Sequence, residues 1–171
     1  GLFSIRSWGD PVYGGQLPAL MLGYDSVVEV SASRSAFAAR LTNGSVICWG
    51  HGVEGGNMPA APQEKTYADV RTNGLALVGR VRLGPDSTTG AVTAWGHKDL
   101  GGTLPAAIAS LTVIDAVFTN GRAFAATRVD GRLVAWGHKA AGANLPSSLA
   151  APPATPEEGI VRVKGNYSAF V

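Results

Sequence analysis

Hydrophobic and polar residues alternate over short stretches of this chain, and the alternation returns at a near-fixed interval. Phe37-Ala38-Ala39-Arg40-Leu41 and Ser45-Val46-Ile47-Cys48-Trp49 each read as a pleated, partly buried strand. Between them, Asn43-Gly44 predicts a tight hairpin turn built on positive φ angles. The pattern recurs from Val113 to Gly137, with Asp130-Gly131 at the turn. It recurs again from Ala68 to Gly96, where the turn widens into the polar loop Leu83–Gly90.

Each strand pair ends in Trp-Gly. Trp8-Gly9, Trp49-Gly50, Trp95-Gly96 and Trp136-Gly137 use all four tryptophans. The intervals are 49 − 8 = 41, 95 − 49 = 46 and 136 − 95 = 41 residues, and the widened turn accounts for the excess of 46 − 41 = 5. A period in this range marks an array of similar supersecondary units. A turn follows each Trp-Gly, with Gly14-Gly15-Gln16-Leu17-Pro18 matched by GGNMP at Gly55–Pro59, GGTLP at Gly101–Pro105 and GANLP at Gly142–Pro146. Variable connectors lead to the next strand. Pro105–Leu111 allows one helical turn but is too short for a stable helix alone. The units fall at roughly 8–48, 49–94, 95–135 and 136–171, the last completed by 1–7. A matched column of large apolar residues, Phe37, Leu77, Phe124 and Phe170, predicts packing between units.

This pattern predicts an all-β, propeller-like array in a single domain. Gly1–Gly9 reads as the outgoing strand of a hairpin, and Asn166–Val171 as an incoming one. Pairing of the two would remove both exposed edges and give a four-bladed closed ring, a monomer. The alternatives are a segment of a longer array and a half-ring that completes itself as a homo-oligomer. The absence of a methionine before Gly1 reads as a processed or excised boundary.

Composition narrows the function classes. Hydrophobic residues make up 46% and charged residues 15%, which argues against disorder. The net charge of +2 comes from scattered basic residues, so no nucleic-acid partner is expected. No apolar run is long enough for membrane insertion. Cys48 is the only cysteine and occupies a column of small residues with Ser7, Ala94 and Ala135, so it reads as structural.

The run Ala123-Phe124-Ala125-Ala126, through Asp130-Gly131 to Trp136-Gly137, resembles the repeats of the regulator of chromosome condensation family of β-propellers, and Gly14-Gly15-Gln16-Leu17, after Trp8-Gly9, resembles the family's turn, with Pro18 where the family has Gly. The repeats here resemble a short, divergent bacterial type. The family's histidine before its Ala-Leu pair is replaced by Ser35, Leu75, Arg122 and Ser168. The resemblance implies a propeller scaffold. The family's nucleotide-exchange activity is not carried over, because no exchange-site residue maps onto this chain.

One column carries candidate chemistry. Asp10, His51, His97 and His138 each follow Trp-Gly and include all three histidines. On a circle near the ring axis they would suit Zn²⁺ or another divalent metal. As turn residues they would cap the segment after the strand. The Gly-rich turns lack the Gly-Lys-Ser/Thr of a phosphate loop, and no nucleophile elbow, paired glutamates or HExxH motif is present. A non-catalytic binding module without cofactor is therefore expected. Its recognition residues are placed on the loop Gly84–Gly90, with Pro85, Asp86, Ser87 and Thr88 at its tip, and on the connectors Ala19–Ser26, Ala60–Thr66 and Ser147–Glu158. A protein partner is the first expectation. A carbohydrate is the alternative, with Tyr13, Tyr24, Tyr67 and Tyr167 as stacking candidates, and a structural spacer in a larger surface protein is the third. A secreted or cell-surface setting is favoured, the compartment being otherwise undetermined.

Overall fold

A computed structural model describes residues 4–22, 26–84, 86–87, 89–155, 159–160 and 162–171. Among these, nine strands form three antiparallel sheets of three, each in sequence order. The first blade holds β1 (Val27–Ala32), β2 (Ala36–Leu41) and β3 (Val46–Gly50). The second holds β4 (Tyr67–Thr72), β5 (Ala76–Val81) and β6 (Val92–Gly96), and the third β7 (Ile114–Thr119), β8 (Ala123–Arg128) and β9 (Leu133–Gly137). The fold is all-β and of the β-propeller type. Units bounded at each tryptophan cut through the last strand of a blade, whereas the hydrogen-bonded sheets are bounded by the connectors.

The register is the same in every blade. Trp49 lies opposite Phe37, Trp95 opposite Leu77, and Trp136 opposite Phe124. The glycine after each Trp lies opposite an alanine, as in Ala36↔Gly50 and Ala123↔Gly137. Gly50 has φ +100°, and a Cβ there would stand 2.8 Å from the Ala36 Cα, so the pair must be small on both sides. At the hairpin turns only the glycine takes positive φ; Asn43 and Asp130 do not, contrary to the expectation of two such residues. Their side chains accept from the amides of Ser45 (2.9 Å) and Arg132 (3.2 Å) instead, which closes the turn without a left-handed residue at that position.

Blades are joined at both ends. At the hairpin-turn end, an amide of the segment that follows donates to the preceding turn: Tyr67 to the Gly44 carbonyl (2.7 Å), Ile114 to Gly90 (3.0 Å) and Ile160 to Gly131 (3.2 Å). At the Trp-Gly end, the turn after one blade covers the next. Trp49 Nε1 donates to the Gly14 carbonyl at 3.1 Å, and Trp136 Nε1 to Gly101 at 3.2 Å. Gly101 has φ +104°, and a Cβ there would reach 2.6 Å from the Phe124 ring. First strands also meet directly, with Ser31 Oγ donating to the Val70 carbonyl (2.9 Å) and Thr119 Oγ1 to Thr72 (3.0 Å).

Propeller blades commonly have four strands. Here three suffice, and the connector covers the outer one. Short helical turns α1 (Ala60–Gln63), α2 (Ala106–Ala109) and α3 (Ser147–Ala150) lie in the connectors, α2 against β6 and α3 against β9. Ile108 of α2 joins a core cluster with Val92, Phe124 and Trp136.

The expected pairing of the termini is corrected. Among the described residues, no hydrogen bond joins Ser4–Gly9 to Asn166–Val171. The N-terminal segment is held by the first blade, where Ile5 packs with Val27, Leu41 and Trp49. The C-terminal residues fold on the third blade: Lys164 and Val171 exchange backbone bonds of 2.6 and 2.7 Å, and Val163 packs with Ala125 and Leu133. Each end is held by the blade next to it, and among the described residues the pairing that would close a four-bladed ring is not present.

Candidate functional site

The Asp/His column lies at the Trp-Gly end of the blades. Its members are the N-caps of four 3-10 turns, Pro11–Tyr13, Gly52–Glu54, Lys98–Leu100 and Lys139–Ala141. Asp10 caps through its side chain, accepting from the Val12 amide at 2.9 Å. The histidines do not: Nδ1 of His51, His97 and His138 is buried without a partner. Their backbone amides hold them instead, donating to the carbonyls of Ser35 (2.8 Å), Leu75 (2.9 Å) and Arg122 (3.1 Å). Each histidine thus belongs to its own blade. Among the described residues, no three His, Cys, Asp or Glu side chains come together to hold a metal ion.

What this column does line is a series of clefts between successive turns. One of about 440 Å³ is formed by Tyr13, Arg34, Ser35, His51 and Glu54. The Tyr13 and His51 rings lie 6.3 Å apart. The Ser35 hydroxyl donates to Glu54, which ties the turn between β1 and β2 to the 3-10 turn. In the second and third blades an asparagine makes that tie: Asn73 Nδ2 donates to the Leu100 carbonyl, and Asn120 Nδ2 to Ala141. The first blade has Ser33 at the matching position, so Ser35 and Glu54 take over the tie and bring a carboxylate into the cleft. The next cleft, about 540 Å³, is lined by Val53, Asn57, His97, Lys98, Asp99 and Thr103 among others.

Exposed apolar side chains stand at both clefts. Tyr13 of the first is 54% exposed, Val53 of the second 64%, and Val12, next to Tyr13 in sequence, is exposed as well. Arg34 is also exposed and forms no ion pair among the described residues. An exposed tyrosine beside an unpaired guanidinium matches the residue types enriched at interaction hot spots. Sequence reasoning named Tyr13 and His51 but missed Arg34, Val53 and Glu54. Their columns vary between repeats, and that variation was the available signal.

The other sequence-derived candidates lie elsewhere. Asp86 and Ser87 are at the opposite, hairpin-turn end of the second blade, while Pro85 and Thr88 fall outside the described residues. Ser87 Oγ donates to the Thr89 carbonyl at 2.6 Å, and Gly90 pairs with Ile114, so the loop's far end is a strap to the third blade. The connector Ser147–Glu158 contributes Pro152, Pro153 and Thr155 to a cleft of about 560 Å³ shared with Asp115, Arg128 and Asp130; residues 156–158 are outside the described set. Tyr67 is fully buried, which removes it as a sugar platform, whereas Tyr167 is exposed. Tyr24 lies outside the described residues. Burial pushes the Cys48 thiol from 9.0 up to about 12, opposed by the nearby Trp95 indole. Such a thiol stays protonated near neutrality. No helix among the described residues is long and apolar enough to cross a membrane.

Blades in sequence order, joined through their first strands and latched at both ends, define a propeller-type repeat protein. No family model matches the chain, and no curated protein matches it. Solved structures do. The entire ectodomain of the Physcomitrella patens receptor kinase CR4 matches with a TM-score of 0.56 at 14% identity, over 81% of this chain and 35% of that one. The CRINKLY WD40 ectodomain of the Arabidopsis thaliana receptor kinase ACR4 matches with a TM-score of 0.49 at 23% identity, over 84% of this chain and 44% of that one. The chain thus spans less than half the length of either.

Proposed function

We propose that this chain is a non-catalytic recognition module that binds a protein through the Trp-Gly end of its blades. The observation that carries the reading is the cleft of Tyr13, Arg34, Ser35, His51 and Glu54, with Val53 exposed at the neighbouring cleft on the same end of the blades. Backbone and side-chain bonds fix these turns to rigid blades, so little ordering cost remains on binding. The solved neighbours are receptor-kinase ectodomains, which supports a surface or secreted setting. The repeat motifs support kinship with the regulator of chromosome condensation family, within which the chain would serve as an interaction platform.

The test compares two ends of the same blades. A partner captured with the intact chain should bind the Tyr13→Ala/Val53→Asp variant at least about 30-fold more weakly, the loss of one hot spot. Replacing Gly84–Gly90 by the short Thr42-Asn43-Gly44 turn should leave its affinity unchanged. The reverse result would move recognition to the loop of Asp86 and Ser87. Sugar-competed binding on a glycan array would replace the protein reading with a lectin one, with Tyr13 and Tyr167 as its exposed tyrosines.

A further inference from the structure

The two ends of the array carry complementary halves of one blade. At the C-terminal end, Asn166 Oδ1 accepts from the amides of Ser168 (3.0 Å) and Ala169 (2.8 Å), as Asn73 and Asn120 do in complete blades. Gly165 pairs with Phe170 in an isolated antiparallel bridge, at the place where a first and a second strand face each other in the complete blades. Phe170 lies under the Gly142 turn, where a Cβ would come within 2.8 Å of its ring, just as Phe124 lies under Gly101. Phe37 and Phe124 each stack on a tryptophan of a third strand, at 5.4 and 5.5 Å. Phe170 has no such ring partner among the described residues, and the Gly142 carbonyl receives no indole N–H there.

At the N-terminal end the counterpart stands ready. Trp8 is 86% exposed, whereas the other three tryptophans are buried. Gly9 already has φ +113°, close to the +100° of Gly50 and the +111° of Gly137. Those two glycines press on Ala36 and Ala123, but a Cβ on Gly9 would meet nothing within 4 Å. In blade register, the partners of Trp8 and Gly9 are Phe170 and Ala169. Within one chain they do not meet.

We propose that a second copy of this chain supplies them. The segment Ile5–Gly9 of one copy adds as the third strand of the C-terminal half-blade of the other, placing Trp8 on Phe170, Gly9 on Ala169, and the Trp8 indole N–H on the Gly142 carbonyl. The exchange is reciprocal. Three complete blades and one shared blade per copy then close a two-fold ring of eight, within the size range of known propellers. The pairing satisfies two open strand edges at once, and both junctions use the contacts that already join blades inside the chain.

Multi-angle light scattering across a concentration series should give a particle of twice 17.5 kDa. Trp8→Ala removes an exposed side chain, so it should leave the far-ultraviolet circular dichroism and melting of the monomer unchanged. It should weaken association by about 30-fold per junction, or about 1000-fold for two. Direction is tested by Ser7→Cys with Val171→Cys in a Cys48→Ala background, since these positions match the facing pair Ala38 and Cys48. A disulfide-linked dimer supports the proposal. An intramolecular disulfide, a monomer at all concentrations, an open polymer without a closed dimer, or undiminished association of Trp8→Ala would each overturn it.

Discussion

The second blade packs its tryptophan differently from the first and third. In those two, an aromatic ring on the middle strand stacks on the Trp at a shallow interplanar angle of 19°. In the second, the middle strand offers Leu77, and the aromatic partner comes from the first strand. Tyr67 approaches Trp95 at 6.2 Å and 57°. Three substitutions accompany this move. Tyr67 stands where the other blades have Val27 and Ile114, and Gly79 where they have Ala39 and Ala126. Thr93 replaces Ile47 and Val134, and its hydroxyl bonds the Tyr67 hydroxyl at 2.8 Å. A Cβ on Gly79 would stand 2.4 Å from the Tyr67 ring, so the glycine makes the room. The Trp95 indole also lacks the carbonyl bond seen for Trp49 and Trp136. A repeat therefore conserves the filled volume around its tryptophan, and the side chain that fills it can come from either strand.

The largest expected effect is in the stacked blades. Phe124→Ala should cost about 3–5 kcal/mol in a urea melt, because the ring is fully buried between the Gly101 turn and Trp136. A loss under about 1 kcal/mol would show that the column does not face the core. Next, Leu77→Phe alone should cost up to about 3 kcal/mol through overpacking. Adding Tyr67→Val and Gly79→Ala should recover most of that loss, and additive losses in the triple variant would refute the exchange of volume. Tyr67→Phe should cost about 1–2 kcal/mol by leaving the buried Thr93 hydroxyl unpaired. Thr93→Val in the same chain should restore it.

The smallest effect concerns alkaline pH. Burial raises the Cys48 thiol from 9.0 to about 12 and the Tyr67 phenol above its usual 10. The unfolded chain loses these protons first, so stability is fully present below about pH 9 and falls as pH rises toward 12. Cys48→Ala should remove the part of that slope that begins near pH 9, leaving the part that begins near 10 to Tyr67. Denaturant midpoints measured at successive pH values separate the two. A slope unchanged by Cys48→Ala would place the titration elsewhere.

Most of this architecture was legible as pattern. Alternation, hairpin turns and the Trp-Gly period gave blades, order and register, because each depends on residues close in sequence. The repacking around Trp95 left its signal in the matched columns of Tyr67, Gly79 and Thr93, but reading it needs the knowledge that those columns share one volume. The separation of the termini was not legible. Complementary strands at Ile5–Gly9 and Ala169–Val171 state what could pair, whereas the curvature of three packed blades decides whether one chain can bring them together. The histidine column was legible as a column and not as a site, since equal spacing in sequence gives one histidine per blade and no distance between them. Arg34 and Glu54 depart from the repeat, and a search for repetition passes over such residues.

The latches from Trp49 to Gly14 and from Trp136 to Gly101 span 49 − 14 = 35 and 136 − 101 = 35 residues. No element must therefore find a partner from the far end of the chain. Such contacts of moderate sequence separation let an array nucleate in any blade and grow by neighbours. Folding of the single chain then proceeds at a rate independent of protein concentration. The contact proposed between the first strand of one copy and the last of another requires a collision between folded molecules, so that assembly would follow second-order kinetics while the blades themselves form in a first-order step.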